Sequence, residues 1–155
     1  MRAKRLARHI ERTVIGPMWH GPALAQALEG VTHEQAGRRP VSQAHSIWEI
    51  VLHVSVWAEI ARARLNGERT GDPAPEDDWP SAGSGAKPWR LAVDRLGASY
   101  HELAAATRKL GDDSLDAKVA NLDYTIGTML RGVVEHGTYH GGQIMILRKA
   151  LEAQR

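Results

Sequence analysis

The chain contains no cysteine. That excludes disulfides, zinc–thiolate sites, iron–sulfur clusters and a thiol nucleophile supplied by the protein itself. It is compatible with a reducing cytosol, and a cytoplasmic location is expected. No run of about 18 apolar residues occurs, so no membrane-spanning segment and no membrane partner is expected. The N-terminal stretch carries Arg2, Lys4, Arg5, Arg8 and Arg12. It lacks the apolar core of a secretory leader and reads as the solvated start of a helix. Charge of one sign is also scarce. The 20 basic residues face 18 acidic ones, a net charge of +2. Basic side chains cluster only in the first dozen residues, with no aromatic residue among them, so no nucleic-acid partner is expected. Phenylalanine is absent while tryptophan occurs five times, a skew for which elementary physics gives no account.

What remains is an ordinary globular composition, 43% hydrophobic and 25% charged over 155 residues. This is enough to bury a real core as one domain, taken as residues 1–155. The hydrophobic periodicity is helical in four stretches. The first is predicted from near Leu6 to Leu28, with Gly16-Pro17 breaking or kinking it midway. A loop is predicted through Arg39-Pro40. Ser46 followed three places on by Glu49 is a capping box, so a second helix starts at Ile47 and runs to about Asn66, with Gly67 past its end. Residues 68–88, rich in Gly, Pro, Asp and Ser, read as a long loop of the kind that is usually functional or mobile. A third helix is predicted over about Pro88 to Leu110, burying Leu91, Leu96, Tyr100, Leu103 and Leu110. A fourth is predicted over about Ile126 to Leu151, with Thr125 as its N-cap. No sustained two-residue alternation appears, so no sheet is expected. The reading is all-α, a four-helix bundle.

The chemistry-bearing segment is His136-Gly137-Thr138-Tyr139-His140-Gly141-Gly142-Gln143. Histidines four apart lie one turn apart on one helix face, close enough for two imidazoles to converge on one ion. They also fall inside the apolar stripe of Ile126, Met129, Leu130, Val133, Ile144, Leu147 and Leu151, so both should point into the bundle. Two buried neutral imidazoles without partners would cost about 1–3 kcal/mol each. His53, on a face with Ile50, Trp57 and Ile60, is the third candidate ligand. The competing reading of each is a core histidine satisfied by other side chains. Gly137, Gly141 and Gly142, costly inside a helix, suggest either close approach by another element or a kinked helix.

Several segments, taken together, resemble one family. They are Gly16-Pro17-Met18-Trp19-His20-Gly21-Pro22, Arg39-Pro40, and His45-Ser46-Ile47-Trp48-Glu49-Ile50-Val51-Leu52-His53. Asp78-Trp79-Pro80 and the stretch from Glu135-His136 through Gln143-Ile144 complete the set. The chain is similar, over nearly its whole length, to the DinB-like (YfiT-like) family of metalloenzymes. That resemblance implies up-down-down-up connectivity for the bundle. It also implies a metal site of His53, His136 and His140.

Three protein ligands with open positions suit catalysis by a divalent transition metal such as Zn, Ni or Fe. Relatives in the family look like hydrolases, or like transferases and isomerases that use a low-molecular-weight thiol. The expected function is therefore a metal-dependent enzyme of one of those kinds, acting on a small-molecule substrate. The alternative is a non-catalytic metal or small-ligand binding protein of a stress response. Glu49, one turn before His53, is the candidate catalytic base, with the capping box as its competing role. Trp57 is a candidate pocket wall, with core packing as its competing role, Gln143 a candidate orienter of a ligand histidine, with a solvated polar residue as the competing reading, and His20 a candidate pocket residue from the first helix. His45 and His101 read as exposed surface residues. Helical bundles with wide apolar faces often pair, so a second copy of the chain, giving a homodimer, is a further candidate partner.

Overall fold

The computed structural model describes residues 1–69 and 71–154. Among them the fold is all-α, with no strand beyond two isolated bridges. Four long helices form the body: α1 (Arg2–Ile15), α4 (Ile47–Leu65), α6 (Ala86–Arg108) and α7 (Ile126–Glu152). Short helices α2 (Leu24–Leu28), α3 (His33–Gly37) and α5 (Pro75–Asp78) lie between them, and a 3₁₀ turn spans Asp112–Asp116. The long helices pack in a ring: α1 and α4 each contact both α6 and α7. Among the described residues no helix is long and apolar enough to cross a membrane.

Local chemistry sets the boundaries. In α1, Ala3, Ala7, Ile10 and Val14 recur on one face and are buried, while Arg and Lys take the other. Gly16 ends the helix at φ 73, a conformation open to glycine and costly for other residues. The chain then turns, so the first helix stops at Ile15 and α2 is a separate element. The expected continuous stretch to Leu28 is therefore two helices with a turn between them. His20, placed in the first helix by the sequence reading, instead lies exposed in that turn. At α4 the capping box forms as expected. Glu49 N–H donates to Ser46 Oγ at 3.2 Å, and Ser46 N–H donates to Glu49 Oε2 at 2.8 Å. Thr125 caps α7 by accepting from Thr128 N–H at 3.1 Å.

Helix α4 is the central element. Ile47, Trp48, Ile50, Val51, Val54, Ala58 and Ala61 are all buried, so it is covered on nearly every side. In α6 the buried face runs through Trp89, Ala92, Leu96, Tyr100, Leu103 and Thr107. Leu91, expected on that face, is 56% exposed. It follows Trp89 by two residues, about 200° around the helix, and so points away from the core.

Helix α7 is closely approached at Gly137. A Cβ there would lie 2.6 Å from the Tyr100 hydroxyl and 2.7 Å from Thr13 Cγ2. Gly137 thus admits α6 and α1 to contact distance, as one of the two sequence readings supposed. Gly142 meets nothing within 4 Å, and Gly141 only an ordinary contact with Leu24 at 3.6 Å. Gly137→Ala is expected to destabilise the protein by about 1–2 kcal/mol, because overpacking outweighs the gain in helix propensity. Gly142→Ala should stabilise it by about 0.5–1 kcal/mol. Urea unfolding of both variants checks this, and a stabilised Gly137→Ala would contradict the close approach.

Candidate metal centre

Helix α7 supplies His136 and His140, four residues apart on the face turned toward α4, and α4 supplies His53. His53 and His140 are buried, at 5% and 4% exposure, and His136 is half-buried. Their Nε2 atoms meet. His136 Nε2 lies 3.0 Å from His53 Nε2 and 3.1 Å from His140 Nε2. All three nitrogens fall within 4.8 Å of one another, so the three histidines are positioned to hold a metal ion. Nitrogen ligands at about 2.0–2.1 Å from one ion lie roughly 3 Å apart when they subtend a near-right angle.

The outer nitrogens fix the tautomers. His53 Nδ1 faces the Asp78 carbonyl oxygen at 2.8 Å and Asp78 Oδ1 at 3.0 Å. Both oxygens only accept, so Nδ1 carries the proton and Nε2 a lone pair. His140 Nδ1 faces Gln143 Oε1 at 2.6 Å, while Gln143 Nε2 donates to the Tyr139 hydroxyl at 3.0 Å. His140 Nε2 is therefore also a lone pair. A proton on His136 Nε2 could serve only one of these two neighbours well. His136 Nδ1 is buried and has no hydrogen-bond partner among the described residues. Placing the proton there would leave three lone pairs facing one another. No protonation of neutral rings satisfies the cluster, whereas a single cation satisfies all three inner nitrogens. The residues present fit a metal.

The surroundings keep these rings neutral. Burial, reinforced by the neighbouring His140 and His53, pushes His136 down to about 3. Burial pushes His140 down to about 4, against the hydrogen bond to Gln143. Both rings therefore keep their lone pairs free far below neutral pH.

Two side chains of the expected loop complete the cluster. The indole of Trp79 stacks flat on His53 at 3.7 Å between ring centroids and on His45 at 3.6 Å. Asp78 Oδ1 also accepts from Trp57 Nε1 at 2.7 Å. Residues 68–88 thus contain α5, whose C-terminal end is pinned to α4 through Asp78 and Trp79. Sequence reasoning quoted Asp78-Trp79 only as part of a resemblance and gave neither a role. An aromatic beside an acid in a loop otherwise built of Gly, Pro and Ser was the available signal. His45 does not behave as a plain surface residue, because it stacks on Trp79. His101 does, with its side chain 74% exposed. Gln143 Oε1 meets His140 Nδ1, and Trp57 lines a cavity, which is one of the two readings open for each from the sequence.

Glu49 is not brought to the cluster. Its Oε1 accepts from Arg39 at 2.6 Å and its Oε2 from Ser46 N–H at 2.8 Å. Burial acts to raise its pKa, but the hydrogen bonds from Ser46 and Arg39 outweigh that and hold it below the ordinary carboxylate value. Both oxygens are engaged, which makes it a poor proton acceptor.

Open space flanks the histidines on two sides. One cavity of about 490 Å³ is lined by His53, His136, Trp57, Asp78 and residues further along α4 and α7. Another of about 620 Å³ is lined by His53, His140, His45, Trp79, Tyr139 and Gln143. These volumes suit small molecules.

The chain is thus an all-helical protein with three imidazoles positioned at a helix–helix seam where they could hold a metal ion. The chain belongs to the DinB superfamily, whose family model matches residues 19–144, a span that includes all three histidines. No curated protein matches the chain, and no solved structure does. Helix α1 lies outside the matched span.

The depressed histidines make the metal-free protein acid-sensitive. Unfolded, both titrate near the ordinary value of about 6.5. Folded, they resist protonation until about 4 and about 3. Below about 6.5 the unfolded chain binds protons that the folded chain refuses, so stability falls as pH drops toward 4 and below. Above that pH the two histidines contribute no slope. Urea unfolding of metal-free protein at pH 7, 5 and 4 should show the loss, and a His136→Asn, His140→Asn double variant should show a shallower one. Equal slopes would contradict the assignment.

Proposed function

We propose that the chain is a metal-dependent enzyme acting on a small molecule, with a divalent transition metal (zinc, nickel or iron) held by His53, His136 and His140. The observation that carries this reading is the meeting of three Nε2 atoms that no arrangement of protons satisfies. Three nitrogen ligands from the protein match catalytic rather than closed structural sites. A metal bound there would polarise a carbonyl or turn water or a small thiol into a better nucleophile at neutral pH. The chain has no cysteine, so any thiol nucleophile must arrive as a low-molecular-weight co-substrate. Hydrolysis and thiol transfer are the two reaction classes this supports.

The protein's own residues do the positioning. Asp78 and Gln143 hold the protons of His53 and His140 on the outer nitrogens, which keeps the inner ones free to coordinate. Trp79 fixes the plane of His53 and shields that ring from water. The two flanking cavities give reactants access from either side. Glu49 is assigned to the start of α4, where it closes the capping box and receives Arg39.

Protein purified without a nickel column should contain about one zinc, nickel or iron ion per chain. His53→Ala and His140→Ala should each lower metal affinity by more than tenfold, and Asp78→Ala by about 10–100-fold. Glu49→Gln should leave metal content unchanged and cost less than about 1 kcal/mol of stability, because glutamine still closes the capping box and only the ion pair with Arg39 is lost. Elemental analysis and metal titration measure these outcomes. A content far below one that added Zn, Ni or Fe does not restore would remove the metal reading. Turnover is then read on model esters and amides, and on electrophiles with added thiols. Metal-loaded protein no faster than His140→Ala in every assay would leave a binding role instead of a catalytic one.

A further inference from the structure

Arg64 is a cation where the fold would be expected to place an apolar residue. It lies eleven residues after His53, about three turns along α4, so His53, Trp57 and Arg64 share one face. All three line the cavity of about 490 Å³. The Arg64 side chain is 2% exposed, and its ionic partner Asp72, at 2.6 Å, is 74% exposed. Its other partners are neutral: the Tyr124 hydroxyl at 2.7 Å and the Gly71 carbonyl at 3.1 Å. These contacts use three of five N–H groups. The Nε–H is buried with no acceptor among the described residues. A buried guanidinium with donors to spare is a costly arrangement unless something else receives them.

The cavity indicates what that is. The guanidinium carbon lies 5.8 Å from the Trp57 ring, and that ring lies 6.2 Å from the His136 ring, so the cation and the histidine cluster are within about 12 Å. Between them the walls are largely apolar, with Trp57, Ala61, Met129 and Val133. The planar fork of arginine matches a carboxylate. Asp72 already balances part of the charge and Asp78 lines the same cavity, which disfavours a dianion.

We propose that this cavity binds an amphipathic monocarboxylate, its anionic end held by Arg64 and its apolar body lying along Trp57 toward the histidines. This names a substrate class for the site proposed above. It rests on that reading only for what happens at the histidine end.

Calorimetric titration of octanoate and of octan-1-ol tests it, on metal-free and on zinc-loaded protein. Octanoate is expected to bind both forms about tenfold or more tightly than octan-1-ol, and Arg64→Gln should erase the difference. Arg64 is buried, so that variant must first show a cooperative melt. Gly132→Leu provides an independent check. Gly132 lines the cavity, and a Cβ there meets nothing within 4 Å among the described residues, so a larger side chain can be introduced there to take up cavity space while Arg64 and the histidines are kept. It should abolish binding of both compounds. Equal affinity for acid and alcohol in the wild type overturns the proposal and leaves Arg64 as a clamp on Gly71 and Asp72. Octanoate binding untouched by Gly132→Leu overturns it as well. The two readings fail separately. Arg64-dependent octanoate binding by a protein that takes up no metal would sink the metal reading alone, and a metal-binding protein indifferent to the carboxylate would sink this one alone.

Discussion

The structure turns on one constraint: three imidazole nitrogens brought to about hydrogen-bonding distance with too few protons to satisfy them. Asp78 fixes the proton of His53 on one nitrogen and Gln143 fixes that of His140, so two lone pairs point inward at His136. A proton on His136 Nε2 can answer only one of them well, whereas a cation between the rings answers both. Much of the surrounding fold can be read as what keeps the rings from turning away. Stacking by Trp79 fixes the plane of His53. Helical spacing holds His136 and His140 one turn apart. Packing between α4 and α7 brings the two halves of the cluster together.

The packing of α7 matters as much as its histidines. Gly137 follows His136, and it is the point where Tyr100 of α6 and Thr13 of α1 press closest on the helix. Tyr100 is fully buried and donates to the Val133 carbonyl at 3.2 Å, one turn before Gly137. The contact that seats α7 against two other helices therefore lies at the same level as the histidines, about 60–100° around the helix from them. Small changes in that packing would move the imidazoles relative to His53, because well-packed helices shift as units.

The long helices and two of the three candidate ligands were legible in the sequence, because both depend on local periodicity. Ser46-x-x-Glu49 and Thr125 mark helix starts through hydrogen bonds within one turn. The His136–His140 pair needs only the helical repeat. His53 was a candidate from its inward helix face, and joining it to the pair rested on the resemblance to a family, because no local rule links positions 83 residues apart. The short helices were harder. Thr32-x-x-Gln35 is itself a capping box and caps α3, yet five residues carry too little periodicity to stand out from a loop. Asp78 and Trp79 were missed for a different reason. Their stretch has the composition of a mobile loop, and what orders it is contact with α4, which composition does not encode. Leu91 shows the opposite error, in which an apolar residue near a stripe is taken as part of it although the angle around the helix excludes it.

Helix α4 carries the remaining argument. Replacing its buried polar residues with apolar ones of similar volume would often stabilise such a helix, since burying imidazole and guanidinium groups costs more than packing alkyl ones. The helix nevertheless keeps His53 and Arg64, three turns apart on one face, at two ends of one cavity with Trp57 between them. Each has its charge or proton only partly answered by the protein: His53 by Asp78 on one nitrogen, Arg64 by an exposed Asp72 and two neutral oxygens. Polar groups that violate the rule for cores concentrate where a chain does chemistry or binds a ligand. Here the two violations fall on one face and share one cavity, which makes a single site that spans metal position and anion grip a better account than two unrelated defects in the core.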